Sequence, residues 1–138
     1  MNQAYLVAID EHVNEHIEAL LDLSEKITQR PLDFHERNSA QRSMQVLVES
    51  VIGLSKHVCK KAGKQTLGSA YANAIKALEL IAGQPIKPEQ LQGAIGMRNA
   101  IVHDYLNLDW KLLEQVLKES LFMDLLPFIK ACASYLES

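Results

Sequence analysis

The sequence predicts an all-α domain, a four- to five-helix up-and-down bundle, and three observations carry that expectation. Apolar residues recur at spacings of three and four along most of the 138-residue chain, the period of a helix with one buried face. No segment alternates apolar and polar residues as a half-buried strand would. Six glycines, four prolines and 6% aromatics are too few turn-formers and ring residues for a sandwich of many short strands. The length suits a single domain over 1–138. With 48% hydrophobic and 22% charged residues, the chain can bury a core and is not expected to be disordered.

The elements follow in order. The first helix runs from about Gln3 to Thr28, with Leu6, Ile9, Val13, Ile17, Leu20 and Ile27 on one face. Arg30-Pro31 stops it, because proline disfavours helical backbone in the residue before it. Asp33 and Glu36 have the spacing of a capping box. They open a second helix carrying Met44, Leu47, Val48, Val51, Ile52, Leu54 and Val58, which ends in Lys60-Lys61 before Gly63. Ser69 starts a short third helix, with Tyr71, Ile75, Leu78 and Ile81 facing inward and Gly83 closing it. Pro88 and Glu89 suit the first turn of a fourth helix, reaching about Tyr105. Asp109 is placed to cap a fifth, which uses Leu113, Val116, Leu117, Leu121, Leu125, Phe128, Ile129 and Cys132. Pro127 lies inside that pattern and is expected to kink or split it. So high an apolar fraction in so small a domain leaves a helical face for a homodimer.

Charge and cysteine usage narrow the function classes. The net charge of −3 argues against binding polyanions through bulk charge. Between Arg30 and Lys64, however, seven basic residues (Arg30, Arg37, Arg42, Lys56, Lys60, Lys61, Lys64) face three acids, a local surplus of +4. That segment is either a solvated helix face or a track for an acidic ligand. Cys59 and Cys132 sit among apolar residues and are read as small reduced hydrophobes, not a disulfide framework. The start of the sequence lacks a basic, apolar leader, and no run approaches the ~18 apolar residues of a membrane span. The expected location is cytoplasmic, without membrane association.

The fourth helix does not read as plain core. On a helical wheel Leu91, Ala94, Ile95, Ile101, Val102 and Tyr105 fall within about 60° of Arg98, putting a guanidinium in the middle of the apolar stripe. Arginine keeps its charge, so it needs a carboxylate partner or an anion. Gln92, Gly96, Asn99 and His103 lie beside the stripe, with Asn99 and His103 four apart and able to face one ligand. A fixed cation, a titratable imidazole and neutral hydrogen-bonding groups suit phosphodiester chemistry. The plain structural reading is that Arg98 pairs with a core carboxylate such as Glu49 and that His103 complements the helix end.

The stretch RNAIVHDY, residues 98–105, resembles the Arg-four-residues-His-one-residue-Tyr signature of the HEPN superfamily, in particular its HepT-like toxins. The long first helix, a second helix bearing Arg42, Glu49 and His57, and the run IKPEQLQGAIGMRNAIVHDYLNLDW extend the likeness over much of the chain. Four residues before His57, where relatives carry an acid, this sequence has Gly53. The resemblance implies a HEPN-like bundle and a metal-independent endoribonuclease toxin without a cofactor, acting as a homodimer on RNA, tRNA among the expected substrates. It implies Arg98 on the scissile phosphate and His103 as acid or base while the 2′-hydroxyl attacks. Asn99 would position substrate, with Arg42 and His57 as further substrate-binding candidates and the basic segment as a backbone track. The partner implied is a minimal nucleotidyltransferase antitoxin that adenylylates the motif tyrosine, Tyr105.

A second reading from another class is a non-catalytic HEPN module that binds a nucleotidyltransferase or a nucleotide and cleaves nothing; the motif is compatible with both. His12-Val13-Asn14-Glu15-His16 has the outline of an inverted zinc-peptidase motif, but no third ligand follows. It is read as a polar stripe on the first helix.

Overall fold

The computed structural model describes residues 3–66 and 68–138. Six helices run in the order α1 (Gln3–Ile27), α2 (Phe34–Lys61), α3 (Ala70–Leu80), α4 (Pro88–His103), α5 (Trp110–Lys118) and α6 (Leu125–Glu137). One 3₁₀ turn, Tyr105–Asn107, lies between α4 and α5, and another, Leu121–Asp124, leads into α6. The all-helical expectation holds. Among the described residues no helix is long and apolar enough to cross a membrane.

Helix α2 is the centre, packed against α1, α3, α4 and α6. It buries residues on several faces, from Ala40, Met44 and Leu47 to Val51, Leu54 and Val58. Its start is built as the sequence implies. The Asp33 carboxylate accepts the Glu36 N–H at 2.8 Å, and the Glu36 carboxylate accepts the Asp33 N–H at 2.9 Å. Arg30 then forks onto both Glu36 oxygens at 2.7 and 2.8 Å, and Arg37 Nη1 donates to the Leu32 carbonyl at 2.9 Å. One carboxylate therefore caps α2 and also holds the turn that leads out of α1.

Three expectations are corrected. The last helical run is two helices, and the break falls at Ser120 (φ 51°), upstream of Pro127. Ser24 of α1 reaches across to the Leu117 carbonyl and lies 3.0 Å from Ser120 Oγ, so a contact distant in sequence secures the break. Pro127 sits in the first turn of α6, where its missing N–H would have had no helical partner. The fourth helix stops at His103, and Tyr105 belongs to the 3₁₀ turn that follows. In α3 the fully inward residues are Asn73, Ala74, Ala77 and Leu78; Tyr71 and Ile75 are only half-buried. Both cysteines are buried and unpaired. Burial pushes the Cys132 thiol up to about 12 and raises Cys59 as well, so neither is a thiolate at neutral pH.

The Arg30 fork and the Asp33 N–H hold the Glu36 carboxyl at about 2, below its ordinary 4.5. A carboxyl depressed in the folded state stabilises the fold above its ordinary value, and that contribution disappears as pH falls from 4.5 towards 2. Glu36→Gln should lower stability at pH 7 and flatten the acid limb of a stability–pH curve measured by urea unfolding. An acid limb as steep as wild type's would remove Glu36 as the group that ties this turn.

Candidate functional site

Helix α4 is set in place at its first turn and along its inner face. Pro88 occupies the first helical position, and the Gln90 side chain accepts the Lys87 N–H at 3.0 Å. The same amide donates to Asp124 at 3.0 Å, tying the start of α4 to the turn before α6. Leu91, Ile95, Met97 and Ile101 are buried and fix the rotation of the helix. Arg98 is then half-buried, while Asn99, Val102 and His103 are exposed. Leu91 and Ile95 flank Arg98 on one side of the wheel and Ile101 and Met97 on the other, so Arg98 lies within the buried arc as the sequence implies, half-buried near the end of the helix.

Among the described residues Arg98 has no carboxylate partner. Its Nη1 donates to Asn99 Oδ1 at 2.8 Å, and its Nε is buried with no hydrogen-bond partner. Pairing with Glu49 is therefore not what happens: Glu49 lines a separate groove with Arg42. The bond to Asn99 matters for direction. Arg98 and His103 are about 140° apart on the helix, whereas Asn99 and His103 are about 40° apart. By reaching Asn99, the guanidinium swings round towards the face that Asn99 shares with His103. A buried N–H donor left unsatisfied is costly, so this arginine is held at a disadvantage that packing alone does not explain. An alanine Cβ at Gly96 would meet no atom within 4 Å, so the helix surface alongside is open.

Beyond His103 the chain turns off the helix. The Asp104 N–H donates to Ala100 O, and the Asn107 amide donates to Asp104 Oδ1 at 2.8 Å. This turn holds Tyr105 54% exposed, in a groove shared with Arg37, Gln41, Leu106, Leu108 and Trp110. Arg37 and Trp110 were not singled out from the sequence as site residues. They lie far apart in the chain, and no local motif joins either to Tyr105.

The other expected residues stand elsewhere in the protomer. Arg42 lines a groove between α1 and α2 with His12, His16 and Glu49. There His16 Nδ1 is 2.9 Å from Ser43 Oγ, and burial lowers the His16 pKa. His57 lies towards the far end of α2, roughly 24 Å along the helix from Gln41. Its ring is stacked at a tilt on Tyr5, with centroids 4.6 Å apart, and burial lowers its pKa. At Gly53 an added Cβ would meet the Tyr5 hydroxyl at 3.3 Å, so Tyr5 occupies the space beside His57. The basic segment is likewise spread out. Arg30 and Arg37 line one groove, Arg42 a second, and Lys60 and Lys61 a third beside His57. Among the described residues no three His, Cys, Asp or Glu side chains gather as metal ligands.

No curated protein matches the sequence. A chain from a crystal structure of a toxin–antitoxin pair with AMP-PNP superposes with a TM-score of 0.74 at 20% identity, covering 96% of this chain and 99% of that one. A chain from the complex of the tri-AMPylated Shewanella oneidensis HEPN toxin with its MNT antitoxin gives 0.74 at 21% identity, covering 95% and 97%. Both establish the shared fold. The family model described as "Ribonuclease HepT-like" matches residues 10–132, which include the whole Arg98–Tyr105 motif, and the chain therefore belongs to the HepT-like ribonuclease family.

Proposed function

We propose that this protein is a metal-independent endoribonuclease toxin whose cleavage centre is the outer face of α4. The observation that carries the reading is Arg98: a half-buried cation without a carboxylate, its Nε–H unpartnered, turned by Asn99 towards the face of His103. A phosphate oxygen is the natural acceptor for that guanidinium. In the proposed step His103 takes the proton of an RNA 2′-hydroxyl, O2′ attacks the adjacent phosphorus, and the bond from phosphorus to O5′ breaks. The products are a 2′,3′-cyclic phosphate and, after protonation, a 5′-hydroxyl. Arg98 neutralises charge on the phosphorane oxygens, and Asn99 orients the substrate through the amide N–H groups that Arg98 leaves free.

One protomer presents this face as an open surface, flanked by Val102 at 41% and Leu106 at 94% exposure. A homodimer that sets two such faces opposite each other would cover these side chains and form a cleft. The regulatory partner proposed is a nucleotidyltransferase antitoxin that transfers AMP from ATP to the exposed Tyr105 hydroxyl, pyrophosphate leaving. The similar Shewanella toxin is itself tri-AMPylated and bound to an MNT antitoxin. The added phosphate and bulk would sit beside the phosphate-binding face.

The deciding experiment is cleavage of total tRNA in EDTA by protein shown by mass spectrometry to carry no nucleotide on Tyr105. Wild type should cleave, with Arg98→Ala and His103→Ala each at least about 100-fold slower. Arg98→Lys should recover little, since a point charge cannot fork onto two oxygens. If the unmodified wild type cleaves no RNA, the family member is a binding module. For the partner, toxicity of Tyr105→Phe in cells should no longer be relieved by co-expressing the cognate nucleotidyltransferase; relief as complete as for wild type would place the modification elsewhere.

Gly96 offers a separate check on where substrate approaches. Gly96→Ala should raise stability by about 0.5–1 kcal/mol, because a helix-interior glycine is replaced without a clash. Gly96→Leu should fold equally well yet cleave at least tenfold more slowly. Unchanged cleavage by that variant would show that neither RNA nor a second protomer comes close to this side of α4.

A further inference from the structure

We propose that the groove beside Tyr105 is a nucleotide subsite, in which Trp110 stacks on a base and Arg37 holds a phosphate of the RNA flanking the scissile bond. The assignment rests on the ribonuclease reading and extends it to residues outside the Arg98–Tyr105 motif. Two open grooves meet here. One, of about 390 Å³, is lined by Arg37, Gln41, Tyr105, Leu106, Leu108 and Trp110. The other, of about 430 Å³, continues past the same Arg37 and Trp110 to Arg30, Thr28 and Lys118. Together they make a channel that starts at the motif tyrosine and runs between the turn joining α1 to α2 and the face of α5.

The cations along this channel are not equivalent. Arg30 is committed to Glu36, and Lys118 lies 3.8 Å from Glu114. Among the described residues Arg37 has no carboxylate partner, and its one side-chain hydrogen bond goes to the Leu32 carbonyl through Nη1. That bond and its half-burial hold the guanidinium in place while its other N–H groups remain available. A pinned guanidinium without a counter-charge loses little conformational freedom when a phosphate arrives. Trp110, the one tryptophan in the chain, begins α5, where Asp109 caps the helix by accepting the Leu112 N–H at 3.2 Å. Its ring packs partly on the core and is only half-buried, so it is an anchored wall and not a mobile flap. An aromatic wall beside a fixed cation is the equipment of single-strand recognition, and it tolerates any base. Gln41 adds an amide that can both donate and accept. From Arg98 to Tyr105 the chain advances on the order of 10 Å, close enough for nucleotides adjoining the scissile phosphate to enter the channel.

The same chemistry, a stacked base with a phosphate on Arg37, could come from a second source: an adenylyl group on the Tyr105 hydroxyl. The test separates the two. A fluorescein-labelled 2′-O-methyl oligonucleotide, which has no free 2′-hydroxyl and cannot be cleaved, is titrated into wild-type protein. Binding is followed by anisotropy and, in parallel, by the emission of the lone tryptophan. Trp110 emission should be quenched in step with saturation. Arg37→Gln should raise Kd about tenfold and reduce the slope of log K against log salt by about one, with Arg37→Lys recovering only part. Trp110→Leu, which keeps apolar packing, should weaken binding about tenfold, and Trp110→Phe should retain most of it. Thermal melting of each variant verifies that the fold persists. Saturable binding with unchanged tryptophan emission and an unaltered Kd for Arg37→Gln would overturn the subsite while leaving the ribonuclease reading intact. Quenching in adenylylated protein but not by the oligonucleotide would give the groove to the modified tyrosine and overturn the RNA assignment. Absence of any oligonucleotide binding, together with absence of tRNA cleavage, would overturn both.

Discussion

A helix that is buried on several faces cannot lie on a surface, and α2 sets that constraint for the whole molecule. Its 28 residues must be covered on several sides at once, and α1, α3, α4 and α6 do so. Polar side chains caught inside must find partners within reach. Ser50 and Ser55 turn back on the carbonyls four residues earlier, at 3.0 and 2.7 Å, and Ser43 meets His16 of α1. Because α2 is roughly 42 Å long, its two ends are separate environments. The start of α2 meets the turn after α4 and the beginning of α5; its end meets Tyr5 and Tyr135. Lys61, which counts towards a basic segment in the sequence, is used at that end to donate to the Tyr135 carbonyl at 2.6 Å and to stand over the same residue's ring. Helix length thus divides a run of charge that looks continuous on paper.

Within this frame Arg98 is the local exception. A bundle optimised only for stability would place an aliphatic residue at that position, or give the arginine a carboxylate. Instead, among the described residues, its Nε is buried without a partner, and its side-chain hydrogen bond is to the next residue's amide. Such unfavourable polar burial is where function and stability pull apart. The cost is bounded because the side chain is only half-buried and α4 is fixed by contacts elsewhere, at Gln90 and along Leu91, Ile95 and Ile101. The rigid part of α4 therefore supports the part that is poorly satisfied.

The features legible from the sequence were those decided within one helical turn. The Asp33–Glu36 box, the Ser69 and Asp109 caps and Pro88 at the start of α4 all formed as spacing implied, because each depends on neighbours three residues away. The motif residues were legible for a similar reason: Asn99 and His103 share a face whatever the helix packs against. Features that needed a distant contact were not. Nothing local marks Ser120 for left-handed backbone; Ser24, nearly a hundred residues away, supplies the contact. The wheel places Arg98 between Leu91 and Ile95 on one side and Ile101 and Met97 on the other, where the structure has it; how deeply it is buried, with Val102 already exposed near the helix end, is not something a wheel records. The companionship of Arg37 and Trp110 depends on how α5, packed on α1, stands beside the start of α2, which no periodicity records.

Tyr105 gains its importance from where α4 ends. Had the helix continued through residue 105, as its apolar pattern allowed, the wheel would have put the tyrosine in line with Arg98 and against the core. The Asp104–Asn107 turn carries it off the helix instead, to the mouth of the groove that holds Arg37 and Trp110. There it is 54% exposed, on the groove of Arg37 and Trp110 and a short way along the chain from Arg98. On the functional reading proposed, a nucleotide attached at that point needs no conformational change to inhibit. It brings its own phosphate and base to the positions that RNA would occupy, and its attachment makes the competition intramolecular, so that even a weak subsite is filled.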